Sequence, residues 1–251
     1  MTLAELFQTF AWGLTHGYAF SNIAGTPDLS SRLGFNNATL QIENVQVGQN
    51  YTPGQAPSLD HPAGGVSYMD TLAFMNMKNE MEGLPVKYYQ DVNDNDIVDA
   101  GDLPYKGDGI NGTVVPNSIA MTDAGLPGYY MPDSAQWKVA AKGNTVSSSG
   151  TLFPWGNTAA DSSYANFNSS DTVRVASYPK GLGIHAPCYD LAGNVAEWVF
   201  LLNRTSGYSL ARNHHGGNYS SPDSDALKSQ QQTASVATDR LNTLGIRVIK
   251  R

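Results

Sequence analysis

The chain has 251 residues, enough for one large or two small domains. Only 15% of them are charged, against an ordinary share of about 25%, so Asn, Ser, Thr, Gln, Gly and Tyr have to supply the polar surface. A net charge of −7 argues against nucleic acid as a partner, no apolar run approaches the ~18 residues of a membrane span, and the lone Cys188 rules out an internal disulfide or a multi-cysteine metal site.

Met1 to Leu14 carries acidic Glu5 and no basic stretch, so it does not read as a secretory signal. Ala38 to Val47 reads as a short strand. At Ser67 the spacing to Asp70 predicts a capping box, with Met69, Leu72, Ala73 and Met77 on one apolar helical face and Gly83 as the stop. Residues 88–128 are polar, rich in Gly and Asp and without helical period, which predicts a surface insertion. After Pro132 a second helix is expected, with Asp133 as N-cap, Gln136 three residues on, Trp137, Ala140 and Ala141 turned inward, and Gly143 at its end. Val195 to Leu202 and Gly245 to Lys250 read as further strands. Two helices among short strands and long loops predict one α+β domain.

Within the polar stretch, Asp91, Asn93, Asn95, Asp99 and Asp102 stand at positions 1, 3, 5, 9 and 12 of a loop. Calcium takes roughly six to eight oxygen ligands, and this spacing can wrap them around one ion. The run is similar to a dockerin-type EF-hand loop, with Asp96 where the turn glycine is expected; a plain acidic, solvated loop is the alternative. Gly181 to Ala186 matches a dinucleotide fingerprint only in form, because Pro187 prevents a helix from opening there. His214 and His215 would point to opposite faces of a strand, so exposure or a binding surface is expected rather than a ligand pair.

Several segments occur in a recognisable order. They are Pro62 to Asn76, Tyr130 to Gly143, Phe153-Pro-Trp-Gly-Asn157, Ala165-Asn-Phe167, Asp190-Leu-Ala-Gly-Asn-Val-Ala-Glu-Trp-Val199, Arg212 to Tyr219 and Gly245-Ile-Arg-Val248. Together they resemble the formylglycine-generating, sulfatase-modifying family from about residue 62 onward, while residues 1–60 match loosely. The resemblance implies a C-type-lectin-like fold. Independently of the resemblance, Trp137, Trp155 and Trp198 read as large buried anchors of a loop-rich core, and Gly193 and Gly217 as positions whose backbone conformation other residues cannot take.

The resemblance also implies calcium as a structural cofactor. One site would use Asp190, the carbonyls of Gly193 and Val195, and Glu197. A second would use Asn166 and the carbonyl of Phe167. The Asp91 loop, with Asn93, Asn95 and Asp102, is a separate candidate. The family's oxidases hold copper with a pair of cysteines between the segments matched here by Gly217 and Gly245, and this chain has none there. The iron-dependent sulfoxide synthases need a His-rich partner motif that is also missing. No catalytic residue is therefore assigned.

The family's fold is also used by variable proteins of diversity-generating retroelements, whose C-terminal segments are diversified to recognise ligands. Residues 212–251 share that vocabulary of Tyr, His, Asn, Asp and Ser. His215, Asn218, Tyr219, Ser221, Asp223, Ser235, Asp239, Arg240 and Asn242 are expected to point outward as one ligand-binding cluster. Gly216, Gly217, Leu244, Ile246 and Val248 would anchor it. The partner implied is a protein or cell-surface ligand, with the chain at a virion or cell surface. An oxidase or a fixed-sequence adhesion module is the alternative.

Overall fold

The computed structural model describes residues 1–19, 35–36, 41–42, 60–93, 95–107, 119–122, 125–142, 151–179, 181, 188–200 and 211–251. The fingerprint-like Gly181 to Ala186 and most of the Ala38 to Val47 strand fall largely outside them, as does Gly143. Phe35–Asn36 (β1) and Gln41–Ile42 (β2) pair as a small antiparallel ribbon.

Three α-helices are present among the described residues, one more than the sequence reading gave. The additional helix, α1 (Leu3–Thr15), opens on a capping box in which the Thr2 side chain and Glu5 reciprocally cap the first turn. Its Leu3, Leu6, Phe7 and Phe10 sit at helical spacing and enter the main core. Gly13 lies against Met77, where even a methyl group would collide, so α1 packs tightly on the second helix.

That helix, α2 (Tyr68–Met81), begins at the expected Ser67–Asp70 capping box and ends before Gly83, which takes φ +71°. It is buried on nearly every side, not along one apolar stripe. Its polar residues therefore need partners in neighbouring elements. The Asn76 amide donates to the carbonyls of Tyr88 and Tyr105 at 2.7 and 2.9 Å. Its oxygen accepts from the backbone N–H groups of Lys87 and Tyr88, both at 3.0 Å. Asn79 pairs likewise with both backbone groups of Tyr129.

Those contacts correct the expected surface insertion at 88–128. The segment contributes β3 (Tyr88–Gln90), β4 (Leu103–Pro104) and β5 (Ile119–Met121), which form one sheet in the order β4-β3-β5. Tyr88, Tyr105 and Ile119 belong to the core. The turn between β3 and β4 does project, with Val92 67% and Ile97 63% exposed.

Next come β6 (Tyr129–Tyr130) and α3 (Ser134–Lys142). As expected, Asp133 and Gln136 cap α3 reciprocally, while Trp137 and Ala141 turn inward. The strand expected from Val195 is β7 (Ala196–Trp198). It lies in a four-stranded sheet with β8 (Ala211–His215), β9 (Gln232–Val236) and β10 (Leu244–Gly245), in the order β10-β7-β8-β9. The expected strand over Gly245 to Lys250 is split: β10 runs parallel to β7, and β11 (Ile249–Lys250) pairs antiparallel with β6. No helix among the described residues is long and apolar enough to cross a membrane.

Candidate functional site

Residues 211–251 supply three of the four strands of the large sheet, and two neighbouring strands among them differ sharply. In β8, Arg212, His214 and His215 are buried; in β9, Gln232, Thr233, Ala234 and Val236 are exposed. Strand β8 sits between β7 and β9, whereas β9 pairs with β8 at the sheet's edge. The two histidines do point to opposite faces, but neither is exposed. His214 packs edge-on against Trp198 and shares a 3.1 Å hydrogen bond with Ser235. His215 stacks on Trp137, with ring centroids 4.8 Å apart. Its Nδ1 lies 2.7 Å from the Gln231 carbonyl and its Nε2 2.8 Å from Ser134 Oγ. A carbonyl can only accept, so Nδ1 carries the proton and Nε2 accepts from the Ser134 hydroxyl. Burial lowers the pKa of both rings, that of His214 to about 4, with its neighbour His215 adding to the shift.

These contacts correct part of the expected ligand-binding cluster. His215, Tyr219, Ser221 and Arg240 are buried, not outward. Arg240 forms a bidentate ion pair with Asp70 at 2.7 and 2.8 Å, tying the tail to the first turn of α2. Tyr219 and Ser221 dock by their backbone onto residues 168–169, and burial raises the Tyr219 pKa. Asp223 is exposed, while Asn218, Ser235, Asp239 and Asn242 are half-buried. Asp239 is committed to a turn, its carboxylate accepting from the Val236 N–H.

The outward surface lies mostly elsewhere in the same segment: Ser220, Pro222, Asp223 and Asp225 on one loop, Gln230 to Ala234 and Val236 along β9, and Leu241 after it. Gln230-Gln-Gln-Thr-Ala234 had a legible signal, since it carries no periodic apolar residue to turn inward. Of the expected anchors, Gly216, Leu244 and Ile246 are buried and Gly217 and Val248 half-buried. Gly216 and Gly217 take φ +94° and +62° in close approach to the backbones of Leu191 and Ala226, where a side chain would clash.

A model of the sulfatase-modifying factor enzyme 1-like domain matches residues 8–251. The chain belongs to this FGE-sulfatase family. The family match reaches well ahead of residue 62 and takes in most of α1. Serine/threonine-protein kinase Pkn1 of Chlamydia trachomatis serovar L2 is 47% identical over 72 residues, 28% of this chain and 10% of the kinase. The corresponding kinase of Chlamydia caviae is 42% identical over 87 residues, 32% of this chain and 13% of the kinase. The chain thus matches little more than a tenth of these relatives' length. Among solved structures, CarF superposes with a TM-score of 0.68 at 21% identity, covering 99% of this chain and 82% of CarF. Treponema denticola variable protein 1 superposes with a TM-score of 0.59 at 24% identity, covering 87% of this chain and 78% of that one. At these identities the two superpositions show a shared fold, the C-type-lectin-like α+β arrangement expected for the FGE-sulfatase family.

The residues expected from the family as calcium ligands have the following partners. Glu197 is 5% exposed, and its carboxylate is filled by Arg247 and by the Trp137 indole. Asp190 takes the Ala176 N–H, and burial raises its pKa. Gly193 adopts φ +74° and is packed on the Asn166 backbone in the turn that leads into β7. The Asn166 amide nitrogen donates to the Asp171 carbonyl and to Asn194 Oδ1, and the Phe167 ring packs beside the Phe153 cluster.

In the acidic loop both oxygens of Asp91 and of Asp102 accept backbone N–H groups of the loop itself. Asn93 and Asn95 turn amide N–H, not oxygen, toward Asp99 and hold its pKa low. Among the described residues no three His, Cys, Asp or Glu side chains gather as a metal site. Trp155 is half-buried in a stack with Phe153 and Tyr164, unlike the buried Trp137 and Trp198.

Proposed function

We propose that the chain is a non-enzymatic binding protein that recognises a protein or cell-surface ligand through strand β9 and the neighbouring exposed loop. The observation that carries this reading is the alternation along the tail of fixed and displayed residues. Buried Gly216, Tyr219, Leu227, Ala237, Arg240 and Leu244 punctuate a segment whose intervening side chains are mostly exposed or half-buried. A scaffold of that design tolerates change at the displayed positions, because exposed substitutions usually alter stability by less than about 0.5 kcal/mol. The shared fold with a solved protein named as variable supports the same reading. Cys188 is the only cysteine, half-buried beside Trp137 and Val199, so the chain lacks the thiol pair that the family's copper oxidation needs. The net charge of −7 favours a ligand other than nucleic acid.

Sequencing codons 212–251 across many individuals of the source population tests the proposal. Variation confined to Ser220, Pro222, Asp223, Asp225, Gln230 to Ala234, Val236 and Leu241 is the expected outcome. An invariant tail would favour a fixed-sequence adhesion module, and variation at His215 or Arg240 would overturn the display surface as drawn here.

A further inference from the structure

We infer that Arg247 is the resident cation of the Glu197 carboxylate, so that this part of the fold stands without calcium. Glu197 is the middle residue of β7 and pairs with Gly245 of the parallel strand β10. Arg247 follows β10 by two residues and folds back onto it. Its Nε donates to Glu197 Oε2 at 2.6 Å and its terminal nitrogen to Oε1 at 2.7 Å, a bidentate fork. The Trp137 indole donates to Oε2 at 2.7 Å, and the same Arg247 nitrogen also reaches the Tyr189 carbonyl at 2.8 Å. Both carboxylate oxygens are thus occupied by donors, with the Glu197 side chain buried and the Arg247 side chain 21% exposed.

A calcium ion would have to lie about 2.3–2.6 Å from a Glu197 oxygen. It would then face a guanidinium and an indole N–H aimed at that oxygen, and the like charges would repel strongly in so buried a place. One carboxylate accommodates one of these cations. The guanidinium has the advantage of being tethered, because it costs no free ion and is always charged. The outcome is a clamp joining α3, β7 and the C-terminal strand, at the edge of the sheet opposite β9. This inference does not depend on whether β9 binds a ligand.

Thermal melts of the full chain, with EGTA or with millimolar calcium, test it. The wild-type midpoint is expected to be the same in both. Arg247→Ala should melt several degrees lower and recover part of that loss in calcium but not in magnesium. Absence of recovery would overturn the competition of two cations for one carboxylate. Should Arg247→Ala not fold, the double variant Glu197→Gln/Arg247→Met removes both charges and should melt identically in EGTA and calcium. A wild-type midpoint that falls in EGTA, with the fall abolished by Glu197→Gln, would show calcium at this carboxylate and overturn the inference. A fall that persists in Glu197→Gln places the ion elsewhere and agrees with it.

Discussion

Strands β8 and β9 are both five residues long, lie side by side in full register and are both poor in aliphatic residues. Yet Ala-Arg-Asn-His-His is largely buried and Gln-Thr-Ala-Ser-Val largely exposed. Side-chain polarity would have ranked them the other way, since Arg and His are costlier to bury than Ala or Val. Position decides instead. The central strand has a neighbour on each side and helices or loops over both faces, and its polar groups are matched one by one: Arg212 over the Tyr68 ring, His214 to Ser235, His215 to Ser134 and the Gln231 carbonyl. In this sheet a polar tail residue is buried where a specific partner inside matches it.

That contrast can be broken most severely at Arg240, which looks like surface vocabulary but neutralises Asp70 in the core. Arg240→Ala leaves an uncompensated buried carboxylate and should cost about 3–5 kcal/mol in urea unfolding, as measured for broken buried pairs. Acid should act next. His214 stays neutral in the folded chain down to about pH 4, whereas in the unfolded chain it titrates near the ordinary imidazole value of 6.5. The contribution of neutral, buried His214 to stability is therefore fully present above about pH 6.5 and is lost progressively as the pH falls toward 4. At about 1.4 kcal/mol per pH unit the loss approaches roughly 3 kcal/mol, and His215 shifts the same way. A His214→Phe variant should flatten that stability–pH curve; an unchanged slope would mean that other groups carry it. The smallest effect belongs to β9: Gln232→Ser, Thr233→Ser and Ala234→Ser should each change stability by less than about 0.5 kcal/mol. A larger cost at these three would mean that β9 is a packed element and not a displayed one.

What the sequence made legible was what neighbouring residues determine together. Ser67 with Asp70 and Asp133 with Gln136 are three residues apart, and both helix starts lie where that spacing puts them. The same three-residue spacing stands at Thr2 and Glu5, where α1 begins. The family motifs carried the fold. The destinations of tail side chains were not legible, because they depend on contacts far along the chain. Arg240 meets Asp70 across 170 residues, and His215 meets Ser134 across 81. Composition hid the core role of Tyr88 and Tyr105 in the same way, since the polar loop between them is what a reader sees first.

The Asn76 side chain has a consequence in time as well as in energy. It holds the amides of Lys87 and Tyr88 from within a buried helix, so those two hydrogens can reach solvent only when α2 and β3 part. Their exchange with deuterium should accordingly follow unfolding of the whole molecule and vanish together with it. The amides on the outer edge of β9 should exchange by local fraying, orders of magnitude sooner. One protein would then keep two clocks, a slow one set by the helix that carries the fold and a fast one in the strand that meets the outside.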